Sequence, residues 1–281
     1  MVGVPLTIQV ALIWIPAVAS VVLSLTRWDG IGGLETIEWV GAENYRFLAT
    51  TYPAFWPALW HNVLWLVVFV VLPTPFGILL AVMLDRALRG TNLYQSAFYL
   101  PVVISMPLIG FLTQLMFSPD QGLVNGILGT PTGGGIDWLG DPQVNLPVVM
   151  LMASWRQAGY VMILYLAGLK TVDPTLREAA ALDGANEPQT FLRVILPAMR
   201  PINVVVLVIT IIESLRAFDI VYVINKGRNG LELLSVLVTN NILGEASRIG
   251  FGSAIGVILL IISLASIITY LWNVFRREDA R

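Results

Sequence analysis

The chain has 281 residues and a net charge of −2; 57% of its residues are hydrophobic and 12% are charged. Its mean hydropathy is +0.78. Since soluble domains carry about 25% charged residues, this composition excludes an ordinary soluble domain and indicates an integral membrane protein. The basic residues are scattered, so we expect no nucleic-acid partner. The sequence contains no cysteine, which excludes thiolate metal sites and thiol nucleophiles, and we expect neither a metal site nor a catalytic residue.

Six apolar runs are each long enough to cross a bilayer core of about 30 Å as a helix. They lie near residues 5–26, 60–84, 94–117, 147–169, 201–224 and 254–275. The first run lacks the basic flank and the cleavage site of a signal peptide, so we expect it to be a retained span. The sequence therefore predicts one all-α transmembrane domain over residues 1–281. It has six spans in contact with membrane lipid and a helix-turn-helix loop of about residues 170–200 between the fourth and fifth.

Prolines interrupt the second span at Pro73 and Pro75 and the third span at Pro101 and Pro107. Because proline removes a hydrogen-bond donor and clashes with the carbonyl one turn earlier, we expect kinks at these positions. The released carbonyls could line a polar path, or the kinks could only shape the packing of the helices. The sequence leaves both interpretations open.

The basic residues of the short loops predict the orientation, because cytoplasmic loops carry the excess of Lys and Arg. One side has Arg27, Arg46, Lys226, Arg228 and Arg248. The other side has more of them, namely Arg86, Arg89, Lys170, Arg177, Arg193, Arg200, Arg276, Arg277 and Arg281. The loop of about residues 170–200 and both termini are therefore predicted to be cytoplasmic.

The polar segment between the fourth and fifth spans has the pattern of a helix, a turn and a second helix. Asp173 can cap the first helix, and Gly184 is expected to end it. Pro188 fits the first turn of the second helix, where a missing N–H costs nothing. Pro197 and Pro201 are expected to end this second helix.

Within this segment, Glu178-Ala179-Ala180, then Asp183-Gly184-Ala185 and then Leu196-Pro197 resemble the EAA loop. This loop is the cytoplasmic coupling segment of permease subunits in ABC importers that depend on a substrate-binding protein. The spacing of the motif is kept, with Val194 where isoleucine is usual. We refer to residues 173–201 as the EAA-like segment. The resemblance implies that it contacts an ATPase through Glu178, Ala179, Ala180, Asp183, Gly184 and Pro197.

The resemblance also implies partners and a division of labour. The first helix would lie in a groove of the ATPase, where Ala179 and Ala180 would allow close approach and Glu178 would meet a basic residue. The family implies ABC ATPase subunits, a second homologous permease subunit and an external solute-binding protein. The sequence has no G-x-x-x-x-G-K-[ST] phosphate loop, so we expect no cofactor on this chain, with ATP bound by the partner subunits.

Two other stretches narrow the expected solute. Residues 26–30, then Val40-Gly41 and Asn44-Tyr45 resemble the external segment of the carbohydrate-uptake branch of these importers, and residues 218–223 resemble the fifth span of sugar permeases. A departure follows, because residues 226–230 replace the Gly-Gly-Pro turn that is common in that branch. The resemblance implies a small sugar-like solute without identifying it.

Charged residues inside the predicted spans are the remaining anomaly. Arg156 and Gln157 lie in the fourth span, and Glu213, Arg216 and Asp219 lie in the fifth. A charge at the bilayer centre costs about 2.5–3.5 kcal/mol on insertion scales, so these side chains should face protein or water. We expect Arg156 and Glu213 to approach each other or one polar cavity; alternatively, Glu213 and Arg216 pair along their own helix. The predicted translocation path consists of Arg156, Gln157, Tyr160, Glu213, Arg216, Asp219 and Tyr222.

The sequence thus predicts a non-enzymatic transport subunit in the bacterial inner membrane. One alternative is an autonomous secondary carrier, in which Arg156, Glu213 and Asp219 relay an ion or a proton. An intramembrane enzyme is the other, and it is disfavoured because the chain has no H-E-x-x-H motif and a single histidine, His61.

Overall fold

A computed structural model describes residues 3–86, 90–130, 134–244 and 247–279 of the chain. Within these ranges the structure is almost entirely helical. The first half contains the helices α1 Gly3–Leu23, α2 Glu43–Thr50, α3 Phe55–Val71, α4 Pro73–Asp85, α5 Thr91–Val103, α6 Met106–Met116 and α7 Leu123–Ile127. The second half contains α8 Asn145–Leu169, α9 Pro174–Leu182, α10 Glu187–Ala198, α11 Arg200–Leu215, α12 Asp219–Asn225, α13 Leu234–Ile242 and α14 Ile249–Asp279. Two short strands, β1 Thr26–Arg27 and β2 Glu38–Trp39, pair antiparallel.

Each of the six predicted apolar runs coincides with helical structure. Among the described residues, three stretches are long and apolar enough to span a membrane alone: Gly3–Leu23, Phe55–Asp85 and Ile249–Trp272. Two bent helix pairs pass the same test together. The remaining run is α8, which has 25 residues and is about 37 Å long but carries Arg156 and Gln157. The all-α membrane fold is confirmed, whereas the number of six crossings remains a prediction.

The predicted kink in the third span is a sharp break. α5 ends at Val103, α6 begins at Met106, and the two axes differ by 98°. Pro107 lies in the first turn of α6, where its missing N–H leaves no gap in the hydrogen bonding. The bend therefore has the cause that the sequence indicated.

The regular helix of the second span is interrupted at Leu72, directly before Pro73. The carbonyl of Phe69, which Pro73 deprives of its helical donor, instead accepts a hydrogen bond of 2.8 Å from the hydroxyl of Thr74. Thr74 is buried. This carbonyl is therefore satisfied within the packed helices and does not line a path, which decides between the two interpretations at this position.

α8 is the central helix, and most of its residues are buried. It packs against α4, α5 and α11. At Gly159 an added Cβ would lie 2.3 Å from the carbonyl oxygen of Phe98, so glycine permits the backbones of α8 and α5 to approach closely. The polar residues of α8 are consequently held within a rigid, closely packed frame.

The external segment that resembles the sugar branch forms a small hairpin. Thr26 pairs with Trp39 across the two strands. The side-chain amide of Asn44 donates hydrogen bonds to the carbonyls of Ser24 at 2.8 Å and Thr26 at 2.9 Å. The residues that carry this resemblance therefore hold the C-terminal end of α1 and the hairpin together.

Candidate functional site

A polar cavity lies midway along α8. The guanidinium Nη1 of Arg156 is 3.8 Å from Oε2 of Glu213 on α11, as the first of the two charge hypotheses expected. Arg156 is about 16 Å along the helix from Asn145 and about 20 Å from Leu169, which places the pair near the middle of α8. The cavity has a volume of about 240 Å³ and is lined by Trp65, Phe69, Met106, Pro107, Arg156, Glu213, Arg216, Ala217, Phe218, Asp219 and Ile220.

The ion pair is incompletely satisfied. A separation of 3.8 Å is too long for a direct hydrogen bond. The Nε atom of Arg156 is buried and has no hydrogen-bond partner in the described part of the chain. The side chains of Arg156 and Glu213 are 23% and 37% exposed. The partly exposed ends of the two side chains, and not the buried Nε, therefore retain hydrogen-bonding capacity toward the cavity.

Glu213 and Arg216 do not pair along one helix, because the helix ends between them. α11 stops at Leu215, and Arg216 already has non-helical backbone angles. Within residues 3–86, 90–130, 134–244 and 247–279, neither Arg216 nor Asp219 forms an ion pair with another side chain. Both are exposed. The second charge hypothesis is therefore wrong for this structure.

Two side chains that the sequence analysis did not identify stabilise this break in the fifth span. The buried amide of Asn62 donates to the carbonyl of Leu215 at 3.4 Å and accepts from the backbone N–H of Leu234 at 2.9 Å. The hydroxyl of Ser235 donates to the carbonyl of Ala217. Only the position of Asn62 inside an apolar run could have drawn attention to it. These contacts position the turn that carries the unpaired charges.

Three of the predicted path residues lie outside the wall of the cavity. Gln157 is 2% exposed, and its amide donates to the hydroxyl of Thr210 at 3.3 Å, between α8 and α11. Tyr222 stacks on Phe218 with 4.8 Å between ring centroids and so supports a residue that does line the cavity. Tyr160 is half-buried on α8. The cavity itself combines two arginines, two carboxylates and aromatic rings.

The first helix of the EAA-like segment has the ends that the sequence predicted. The carboxylate of Asp173 accepts a hydrogen bond of 2.9 Å from the N–H of Thr175, which lowers the pKa of Asp173 below its usual value. At the other end the N–H of Ala185 donates to the carbonyl of Ala180 at 3.0 Å, as in a Schellman motif. Gly184 adopts a φ of +78°, which glycine permits without strain.

The second helix begins as predicted and ends between Pro197 and Pro201, the two prolines that were expected to close it off. Asn186 and Gln189 form a reciprocal capping box, and Pro188 lies in the first turn. A π turn at Phe191–Ile195 precedes Pro197, which then occupies the first turn of a continuing α-helical stretch. Because the wider π turn accommodates the proline, the helix continues to Ala198 and breaks at Met199. α10 and the following helix meet there at 81°.

The EAA-like segment exposes a mixture of charged, small and apolar side chains. Glu178, Ala179, Asp183, Gly184 and Pro197 are exposed, and Leu182 is 90% exposed. Ala180 is only 6% exposed because it packs inside the chain. The resemblance implied that Ala180 contacts the ATPase, but its side chain faces the interior of this chain. Its small size therefore lets α9 pack closely against neighbouring helices of the same chain.

Two ion pairs tie this segment to the end of the second span. Arg177 Nη2 lies 2.6 Å from Oδ2 of Asp85. Arg86 forms an ion pair with Glu187. These contacts join both helices of the EAA-like segment to the same end of α4.

The comparisons with known proteins agree with this architecture. Residues 73–278 match the family described as binding-protein-dependent transport system inner membrane component. Over 271 residues the chain is 31% identical to the probable ABC transporter permease protein YurN of Bacillus subtilis (strain 168), covering 93% of this chain and 90% of YurN. Over 234 residues it is 33% identical to the arabinooligosaccharides transport system permease protein AraP of the same organism, covering 81% of this chain and 74% of AraP.

A solved structure shares the fold. It is a chain of a bacterial ABC transporter involved in the import of the acidic polysaccharide alginate, matched with a TM-score of 0.81 and 21% sequence identity. The match covers 97% of this chain and 92% of that chain. The family match includes the EAA-like segment and the Arg156–Glu213 pair. This chain therefore belongs to the inner membrane components of binding-protein-dependent transport systems, which are the permease subunits of ABC importers.

Proposed function

We propose that this chain is the transmembrane subunit of an ATP-driven importer that translocates a sugar or a similarly polar solute delivered by an external binding protein. The observation that carries the proposal is the family match over residues 73–278, which contains both the Arg156–Glu213 pair and the EAA-like segment. The solute class is supported by the external segment that resembles the sugar branch and by the relative named for arabinooligosaccharides.

The orientation follows from the charges of the loops. The EAA-like segment and both termini would face the cytoplasm. Arg89 and Arg281, which contribute to this count, lie outside the described residues. The whole chain would then act as a single transmembrane domain with six crossings, α8 being the fourth.

The EAA-like segment would dock on an ATPase subunit. A short helix that exposes several small side chains fits a groove on a partner. The docking face consists of the exposed residues Glu178, Ala179, Asp183 and Gly184 and the strongly exposed Leu182. Pro197 would contribute at the far end of the second helix. ATP would be bound by the partner subunits, and this chain would need no cofactor of its own.

The cavity around Arg156 and Glu213 would form this subunit's part of the translocation path. Its volume of about 240 Å³ is below the range of about 300–1,000 Å³ that is typical of sites enclosing a small molecule. Arg216 and Asp219 are exposed at its edge, although exposed charges at this depth are costly in lipid. A second homologous permease subunit would complete the cavity and cover these charges.

The test is to purify the complex from its native membrane, reconstitute it in proteoliposomes and measure sugar uptake. We expect an ATPase and a second permease subunit to co-purify, and uptake to require both ATP inside and the binding protein outside. Leu182→Glu, which places a charge on the docking face, should lose the ATPase, whereas Leu128→Glu on an exposed external residue should keep it. Uptake driven by an ion gradient in vesicles without nucleotide would refute the proposal and favour the secondary carrier.

A further inference from the structure

Three helices contact one residue of α11 beside the EAA-like segment, two of them through its side chain and one through its backbone. Asn203 lies in the first turns of α11 and is half-buried. Its Oδ1 accepts a hydrogen bond of 2.7 Å from the hydroxyl of Tyr165 on α8. Its Nδ2 donates to the carbonyl of Leu196 on α10 at 2.7 Å. Its own backbone carbonyl accepts from the hydroxyl of Tyr270 on α14 at 3.4 Å.

The hydrogen bond to Leu196 supplies a donor to a backbone carbonyl near the end of α10. α10 ends at Ala198 and the chain then turns by 81° into the fifth span, and the last carbonyls of a helix have no donor within that helix. The amide of Asn203 supplies a donor to one of them. Asn203 therefore bridges the bend itself, joining the end of the EAA-like segment to the span that follows.

The same residue begins a series of polar contacts between α8 and α11, which run antiparallel. Tyr165 bonds Asn203, Gln157 bonds Thr210 at 3.3 Å, and Arg156 pairs with Glu213 at 3.8 Å. This series leads from the EAA-like segment to the polar cavity. Gln157 does not line the cavity, and its bond to Thr210 is the middle contact of this series.

The two ion pairs of the EAA-like segment differ in exposure. The side chains of Arg86 and Glu187 are 58% and 73% exposed, whereas that of Arg177 is 44% exposed and that of its partner Asp85 is 15% exposed. Exposed ion pairs are screened by water and contribute little. The hydrogen bonds of Asn203 join buried or half-buried groups in a low-dielectric environment, where their geometry is held more firmly.

We propose that Asn203 is the positioning residue that transmits movement of the EAA-like segment to α8 and α14, and thereby to the Arg156–Glu213 pair. The inference rests on the proposed function, because it assumes that an ATPase moves this segment. A displacement of α10 would pull on the carbonyl of Leu196, and Asn203 would pass it to Tyr165. Since α11 is one helix from Asn203 to Glu213, the same movement would change the distance between Glu213 and Arg156.

The experiment measures the number of solute molecules taken up per ATP hydrolysed by the complete importer in proteoliposomes. Asn203→Leu keeps the branched shape and the number of heavy atoms of the side chain but removes its donor and acceptor, and Tyr165→Phe removes one hydroxyl. We expect Asn203→Leu to lower the uptake-to-hydrolysis ratio by about threefold to tenfold, the equivalent of one or two interhelical hydrogen bonds in a membrane. Tyr165→Phe should lower it by about threefold, and the double variant should be no worse than Asn203→Leu.

Thr113→Val is the matched control, because it removes a buried hydroxyl that bonds only within its own helix. It should leave the ratio unchanged. An unchanged ratio in Asn203→Leu overturns the inference, as does a strictly additive double variant. If Asn203→Leu does not accumulate in the membrane, Tyr165→Phe decides the question alone. Failure of the wild type to couple uptake to ATP would instead refute the proposed function, so the two failures are distinguishable.

Discussion

Reversing both charges of the Arg156–Glu213 pair is the sharpest test of the cavity. Arg156→Glu places a second carboxylate beside Glu213, and Glu213→Arg places a second guanidinium beside Arg156. The double variant restores opposite charges at the same two positions. Both single variants should lose uptake, and the double variant should regain part of it.

The size of the effect follows from the geometry. At 3.8 Å two unit charges attract by about 4 kcal/mol at an effective dielectric constant of about 20. Because the two side chains are 23% and 37% exposed, screening reduces the net coupling to about 1–2 kcal/mol, between the values for exposed and desolvated pairs. A reversal replaces attraction by repulsion of similar size, so each single variant should lose at least about tenfold in uptake.

The assay is ATP-dependent sugar uptake in proteoliposomes, with the amount of assembled complex measured in parallel. The double variant should exceed the poorer single variant by about tenfold. Arg216→Glu is the control, since Arg216 lines the same cavity but has no ion-pair partner among the described residues. Combining it with Glu213→Arg should give no rescue. A double Arg156/Glu213 variant that is no better than either single one would refute the pairing.

Three further predictions concern the EAA-like segment and the broken span. Gly184 has a φ of +78° with open space where a Cβ would lie. Gly184→Asn tolerates this conformation and should keep ATP-coupled uptake, whereas Gly184→Val should uncouple hydrolysis from uptake through backbone strain of about 1–2 kcal/mol. Equal coupling in both variants would contradict this prediction. The pKa of Asp173 is lowered by the hydrogen bond from the N–H of Thr175. The stability that the charge of Asp173 adds to α9 should therefore be present above the unfolded-state pKa and be lost as the pH falls through the lowered folded-state pKa. Hydrogen exchange of the Thr175 amide should show this loss in wild type but not in Asp173→Asn. Asn62→Leu removes the amide that donates to the carbonyl of Leu215. The free energy of unfolding should fall by about 1–3 kcal/mol. A thermal unfolding midpoint equal to that of wild type would count against a positioning role of Asn62.

Much of the fold could be predicted because its signals are local. A run of apolar residues long enough to cross a bilayer specifies a helix whatever surrounds it. The ends of α9 were likewise predictable, since Asp173 and Gly184 act on the backbone within a few residues. The break in the third span lies directly before Pro107 for the same reason, whereas α5 continues past Pro101 to Val103.

Contacts between distant parts of the chain could not be predicted in the same way. Nothing near Asn203 in the sequence indicates that Tyr165 and Tyr270 will meet it, and nothing near Asn62 indicates Leu215. The π turn before Pro197 was not predicted either. Proline alone indicates the end of a helix and gives no sign of a wider turn before it. The inward orientation of Ala180 depends in the same way on which side of α9 meets the other helices.

The sequence by itself therefore determined the membrane location, the all-α class, the two helices of the EAA-like segment and the charges that must avoid lipid. These properties depend on composition, length and spacing along the chain. Only the tertiary structure decided that Glu213 pairs with Arg156 and not with Arg216, since α11 ends at Leu215. It also decided which polar residues line the cavity and which, like Gln157, join helices, because partners in space are set by how the helices pack.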